Sequence, residues 1–197
     1  MSITFPHRDY EDALAPWTAL LTSTVTHETT APLLGTGSAK VITPGSAGFE
    51  GMTSGTGTAD DMVVSVNAST EYTLSAYVRT EAAGGTLRPR VTERTAANVF
   101  IANIIFANVV PADTETARYS WTWTTGATAA FLRDFRMMTP TAQARTFYVD
   151  GWQLDVGPTA LTYDGSDAPA AAGGANLIVG RGVGVSQPSV LGVRSVS

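Results

Sequence analysis

The chain has 197 residues, a net charge of −5, no cysteine, and one lysine beside eleven arginines. Without cysteine it has no disulfide and no thiolate metal site, and its acidity argues against a nucleic-acid partner held through phosphates. Its N-terminus has no apolar run long enough for a membrane span or a secretion signal, so we expect neither.

Nine stretches of alternating or β-branched residues predict short strands, separated by clusters rich in Gly, Pro, Asn and Asp. Nine strands at this spacing predict an all-β protein, a jelly-roll β-sandwich. One short segment, "RDYEDALAPW" at 8–17, could form a helical turn that Pro16 ends. In chain order the predicted strands are 23–28, 38–43, 60–66, 71–80, 87–95, 99–107, 117–124, 129–138 and 145–156.

The composition changes after the last predicted strand. We expect an N-terminal segment at 1–16, a jelly-roll domain at 17–169, and a linker with an extended arm at 170–197, because "AAAGGA" has no side chain large enough to pack. The arm alternates apolar residues with glycines, and about twenty residues cannot bury such a row alone. It therefore predicts docking on a partner, through Leu177, Ile178, Val179, Arg181, Val183 and Val185.

Two stretches resemble a known family. "YTLSAYVRT" and "FYVDGWQLDVGPTALTYDG", within 17–166, resemble the carbohydrate-binding-module-like jelly rolls of the family 4 and 9 type, which recur in phage tail and other virion proteins. The second stretch resembles the closing strand of that family. Strict alternation would place Phe147 and Val149 on one face of this strand, and Tyr148, Asp150 and Trp152 on the other.

The resemblance also implies a structural calcium, with no other cofactor. The closing aspartate of the family, here Asp150, often ligates calcium together with oxygens from the N-terminal part, for which Glu11 and Glu50 are candidates. The alternative is that Asp150 caps a turn by accepting hydrogen bonds from backbone amides, which short acids commonly do.

The aromatic row Tyr119, Trp121 and Trp123 lies at every second position of one predicted strand, so the three rings share a face. Such a row is either a sugar-stacking platform or part of the core. We favour the core, because the alternating Ser and Thr residues between the rings are typical of the opposite, exposed face.

Arginines form a second candidate site. Arg88 and Arg90 share one face of a strand, and guanidinium forks bind carboxylates bidentately. A face that joins them with side chains of neighbouring strands could bind an acidic glycan. The alternative is a solvated face whose arginines pair with Glu93 and Asp134. The candidate glycan-binding residues are Tyr77, Arg79, Arg88, Arg90 and Arg133.

Catalysis has little support in the sequence. The acid pairs Asp60–Asp61 and Asp164–Asp167 lie in predicted turns, and no two carboxylates are placed as a glycosidase requires. His7 and His27 have no metal-ligand or triad spacing. We therefore expect a protein that is not an enzyme.

The resemblance and the arm together imply a phage virion structural protein, assembled in the host cytoplasm. We expect an accessory (minor) tail protein whose jelly roll faces outward, with host-surface glycan as a candidate ligand. Its arm would bind other virion proteins, and the protein would be a homo-oligomer in the assembled particle. The alternatives are a capsid decoration protein and a free-standing glycan-binding module.

Overall fold

The structure is a computed structural model that describes residues 2–3, 10, 14, 16–55, 62–112 and 114–163, of which 2–3 are described by their backbone alone. Much of the predicted turn at 8–17, the candidate ligand Glu11, and the linker and arm from 170 onward lie outside the described residues. No helix long and apolar enough to cross a membrane occurs in the described part of the chain.

The fold is an all-β sandwich of two six-stranded antiparallel sheets, which confirms the predicted fold class. All nine predicted strands are present, and three very short ones (β1, β2 and β5) were not predicted. The strands are β1 (Ser2–Ile3), β2 (Thr18–Leu20), β3 (Thr24–Glu28), β4 (Ser38–Pro44), β5 (Gly51–Thr53), β6 (Val64–Ser65), β7 (Glu71–Thr80), β8 (Arg88–Arg94), β9 (Phe100–Ile105), β10 (Ala117–Thr124), β11 (Phe131–Met138) and β12 (Ala144–Val156).

Consecutive strands often cross from one sheet to the other. Sheet 1 has the order β10-β7-β12-β4-β3, with β1 paired to β12. Sheet 2 has the order β2-β5-β11-β8-β9, with β6 paired to β11. The consecutive strands β7 and β8 therefore lie in different sheets, and this determines which candidate residues can meet.

The core lies between the sheets and is formed by the inward residues of each strand. Trp121 is buried, and Tyr119 and Trp123 are partly buried and pack against the core, which confirms the core interpretation of the aromatic row. Trp17 stacks on Trp152 with ring centroids 5.5 Å apart. Trp152 is fully buried, and its indole Nε1–H donates to the Tyr10 hydroxyl at 3.1 Å.

A β-bulge in β12 reverses the predicted orientation of Trp152. The register against β7 shifts between Asp150 and Gln153, and Gly151 has φ +55°. The extra residue turns Trp152 inward beside Val149 while Asp150 stays on the outer face. Strict alternation was therefore wrong for Trp152, because the period of two is broken at Gly151.

Gly151 gives a test of how tightly the bulge is packed. A Cβ there would lie 2.7 Å from Leu34 Cδ1 and 2.9 Å from Tyr77 Cδ2. Gly84 is a matched control, since it has φ +72° and an added Cβ would meet no described atom within 4 Å. We expect Gly84→Ala to cost about 1 kcal/mol through backbone strain alone.

Gly151→Ala should cost about 1–3 kcal/mol more than the control, because the methyl group also overpacks the site. Urea denaturation followed by tryptophan fluorescence measures both variants. Equal losses of stability in the two variants would show that the bulge has room for a side chain.

Candidate functional site

The five predicted glycan-binding residues do not share one surface. Tyr77 and Arg79 point away from the core on β7 in sheet 1, where Leu74, Ala76 and Val78 fill the inward positions. The other three candidates lie on β8 and β11 in sheet 2. The outer faces of a sandwich point in opposite directions and are separated by a core about 10 Å thick, so the prediction of a single surface was wrong.

Tyr77 and Arg79 are engaged in contacts on the outer face of sheet 1. The guanidinium of Arg79 lies 4.3 Å from the ring centroid of Tyr148 and donates to the Ala31 carbonyl at 2.9 Å. Tyr77 packs edge-on against the ring of Tyr163, with centroids 5.7 Å apart. Both side chains are therefore held by neighbouring residues on the outer face of sheet 1.

The segment that follows β12 covers part of this same face. The Leu161 amide donates to Asp155 Oδ2 at 3.0 Å, and the Arg118 guanidinium donates to the Leu161 carbonyl. Tyr163, the last described residue, packs on Tyr77. Residues 157–163 thus run across part of the outer face of sheet 1.

The outer face of sheet 2 gathers five of the eleven arginines. On β8, the inward residues Pro89, Val91 and Glu93 are buried and alternate with arginines that point outward. On β11, Arg133 and Arg136 also point outward, and their neighbours Leu132, Phe135 and Met137 are buried. We call this surface the arginine face, formed by Arg88, Arg90, Arg94, Arg133 and Arg136.

Asp134 organises the centre of the arginine face. The β11–β8 register shifts between Arg133 and Arg136, and Asp134 has φ +55°, which inserts its carboxylate among the arginines. Arg136 donates to both oxygens of Asp134, at 2.7 and 2.8 Å, and Arg90 donates to Oδ2. Thr53 donates to Oδ1 at 2.7 Å. One carboxylate therefore holds two guanidinium groups in fixed positions.

The pKa values follow this arrangement. Burial alone would raise the pKa of Asp134, but hydrogen bonds from Arg136 and Thr53 and the nearby positive charges lower it. Burial lowers the pKa of Arg90, and the Arg136 charge lowers it further against the opposing effect of Asp134. The Asp134 carboxylate is therefore ionised at neutral pH beside the two guanidinium groups.

The predicted ion pairs are confirmed for one acid and wrong for the other. Asp134 pairs with Arg90 and Arg136. Glu93 instead turns into the sandwich, where it accepts hydrogen bonds from Trp123 Nε1 and the Gly126 amide, both at 3.1 Å. The reason is its position on β8, where odd-numbered residues face the core and the arginines face outward.

The flanking arginines are held by loop residues. Arg88 Nε donates to Asn108 Oδ1 at 2.8 Å. Arg94 donates to the Asn98 carbonyl at 2.9 Å, and Arg133 donates to the Asn98 side-chain oxygen at 3.2 Å. Amide groups of Asn98 and Asn108 therefore fix the positions of the three flanking guanidinium groups.

An apolar column borders the arginine face and was not predicted. On the edge strand β9, Ile105 is paired with Arg90 and Phe100 with Arg94, and directly opposed residues project from the same face. Phe100 and Ile105 are 52% and 57% exposed. The only sequence signal for this column was the alternation in "FIANII". A shift of register beside Phe100 interrupts that alternation.

Asp150 behaves as a cap. It is fully buried, and its carboxylate accepts hydrogen bonds from the Ser38 hydroxyl at 2.7 Å, the Leu34 amide at 3.2 Å and the Gly151 amide at 2.7 Å. These donors fix the loop before β4 to the closing strand. These hydrogen bonds are the ones that the capping interpretation predicts, and the part of Asp150 in a calcium site stays a prediction.

Glu50 lies at the other end of β4. It accepts hydrogen bonds from Thr22 Oγ1 and from the amides of Gly45, Ser46 and Ala47. Seven residues of extended chain, about 23 Å, separate Ser38 from Gly45, so the structure does not bring Glu50 to Asp150. Across the described residues, no group of three or more His, Asp or Glu side chains is placed to hold a metal ion. The part of Glu11 in a calcium site stays a prediction.

No protein-family model matches the sequence, and no curated protein matches it. Solved structures match its fold. The family 22 xylan-binding domain of Paenibacillus barcinonensis Xyn10C has a TM-score of 0.54 and 15% identity, with 81% of this chain and 95% of that chain covered. A family 16 carbohydrate-binding module has a TM-score of 0.53 and 20% identity, with 75% and 96% covered.

A longer chain also matches. The enzymatically active domain of bacteriophage CBA120 tailspike protein 4 has a TM-score of 0.58 and 12% identity, with 78% of this chain covered. This chain spans 21% of that protein, and 28% of a matching Clostridium thermocellum xylanase solved with xylohexaose. At these identities the likeness shows the fold alone. The protein has the jelly-roll β-sandwich fold of carbohydrate-binding modules, and the family 4 and 9 type stays a prediction.

Glu50 predicts a specific loss of stability in acid. Burial alone would raise its pKa, but hydrogen bonds from Ser46, Thr22 and the amides of Gly45 and Ala47 lower it from 4.5 to about 2. The folded protein therefore keeps the carboxylate ionised more strongly than the unfolded chain does. This contribution to stability is complete above pH 4.5 and is lost as the pH falls toward 2.

We expect Glu50→Gln to lower the urea midpoint at neutral pH, and the gap to the unsubstituted protein to close between pH 4.5 and 2. Glu71→Gln at an exposed position is the control and should change little at any pH. A gap that stays constant down to pH 2 would show that the ionised form of Glu50 has no special role.

Proposed function

We propose that this protein is a non-catalytic glycan-binding module of a phage virion, in the role of an accessory tail protein, with the arginine face as its binding surface. The observation that carries the proposal is the arginine face itself. It is the outer surface of a sheet in a carbohydrate-binding-module fold, and it holds polar groups in fixed positions beside the exposed side chains of Phe100 and Ile105. Convergent polar groups next to apolar ones are typical of ligand sites.

The choice between the two outer faces rests on how each is occupied. On sheet 1, residues 157–163 cross the face, and Tyr77, Arg79 and Tyr148 contact one another or their neighbours. On sheet 2, Phe100 and Ile105 are exposed beside the outward arginines. An extended ligand would therefore contact sheet 2.

The virion setting is supported by the phage tailspike among the matched structures and by the apolar arm. We assign to residues 177–185 the contact with other virion proteins, and to the assembled particle the homo-oligomeric state. Assembly would take place in the host cytoplasm. The second candidate is a free-standing glycan-binding module, which is favoured by the 95% coverage of a xylan-binding domain.

Glycan binding is tested with the intact chain on an array of bacterial surface polysaccharides and plant glycans. We expect binding, and we expect Phe100→Ala with Ile105→Ala to weaken it about tenfold because the apolar column is lost. Val156→Ala, at an exposed apolar position of sheet 1, is the control. Absence of signal for every glycan would contradict the proposed function.

Deletion of residues 174–197 tests the attachment. The truncated protein should keep its melting temperature, because "AAAGGA" before the arm has no side chain large enough to pack, and it should no longer be incorporated into phage particles. Immunogold labelling of particles carrying the intact chain would place it on the tail or on the capsid. Normal incorporation of the truncated protein would contradict attachment through residues 177–185, and absence of the intact chain from particles would favour the free-standing module.

A further inference from the structure

The arginine face has a charge opposite to that of the whole protein. The chain carries −5 overall, yet five arginines project from the outer side of β8 and β11. The strands β5, β8, β9 and β11 contain two acids. One of them, Glu93, faces the core, so Asp134 is the single carboxylate that these four strands place among the five cations.

Two positive charges meet one negative charge at the centre of the face, counted over the residues that the structure describes. Asp134 is shared there by Arg90 and Arg136. Burial lowers the pKa of Arg90, and the like charge of Arg136 lowers it further. A further anion above this pair would relieve that repulsion.

The spacing suits repeated anionic groups. Arg88 and Arg90 project from the same side of β8 about 7 Å apart, and Arg136 is directly opposite Arg90 on the neighbouring strand. Each guanidinium has five donors in a planar fork that matches the two oxygens of a carboxylate. Asn98 and Asn108 hold the flanking guanidinium groups, so less side-chain freedom is lost on binding.

We propose that the ligand of the arginine face is an acidic polysaccharide, a chain of sugars that bear carboxylates, with its apolar ring faces against Phe100 and Ile105. This inference rests on the proposed glycan-binding function and names the class of glycan. Duplex DNA presents one charge per about 1.7 Å of its axis. Such a polyanion would meet a negatively charged protein beyond the five arginines, so nucleic acid fits the surface less well.

The test compares intact protein binding to polygalacturonate and alginate, which carry uronate groups, with binding to neutral xylan and mannan. We expect the acidic polymers to bind more tightly, and Arg88→Gln with Arg133→Gln to weaken that binding at least about tenfold. Arg88→Lys with Arg133→Lys should restore part of the loss, because it keeps the charge but not the fork. Added salt should weaken binding to the acidic polymers alone.

Arg79→Gln is the matched control, since it removes one arginine from the opposite outer face, and it should leave the affinity within about twofold. Thermal melting checks that each variant is folded. If the double variant unfolds, the single variants Arg88→Gln and Arg133→Gln give the same readout.

Four results would overturn the inference. Neutral polymers bound as tightly as uronate polymers would do so and leave the proposed function intact, whereas no binding to any polysaccharide would overturn both. Duplex DNA that competes as strongly as polygalacturonate would favour a nucleic-acid ligand. A loss in Arg79→Gln equal to that in the double variant would exclude the arginine face as the site.

Discussion

The sandwich depends on one local departure from β-strand geometry, the left-handed backbone at Gly151. Because an extra residue is inserted there, Trp152 enters the core, where it stacks on Trp17 and donates to Tyr10. Asp150 stays on the outer side of sheet 1, where it is covered by the loop at Leu34 and fixes that loop by accepting a hydrogen bond from its amide. A single backbone conformation thus joins the N-terminal part of the chain, the loop before β4 and the closing strand, and a side chain at this position would disturb all three contacts.

A bulge at Asp134 in β11 has a similar effect in sheet 2, where it sets the direction of a side chain. Without the shift between Arg133 and Arg136, regular alternation would not bring the Asp134 carboxylate between Arg90 and Arg136. Its hydrogen bonds keep the two guanidinium groups side by side despite their repulsion. The first bulge serves the stability of the sandwich, and the second sets the pattern of charge on its surface.

The fold class and nine of the twelve strands could be predicted because alternation and turn residues are local signals. The strands β1, β2 and β5 have two or three residues, too few to show a period, and they form because β12, β5 and β11 offer edges to pair with. The orientation of Trp152 and the inward turn of Glu93 depend on register. Tyr77 and Arg79 lie on a different sheet from Arg88 because the chain passes from sheet 1 to sheet 2 between β7 and β8. The short glycine-rich connection between these strands does not predict that change of sheet.

The segment 157–163 also determines how the module would be displayed. It carries the chain to Tyr163 on the outer surface of sheet 1, while the arginines project from the outer surface of sheet 2. A tether that starts after Tyr163 therefore begins on the side of the sandwich remote from the arginines. If the domain is attached to a larger assembly through such a tether, its arginine face would point away from that assembly and toward the surface that the assembly contacts.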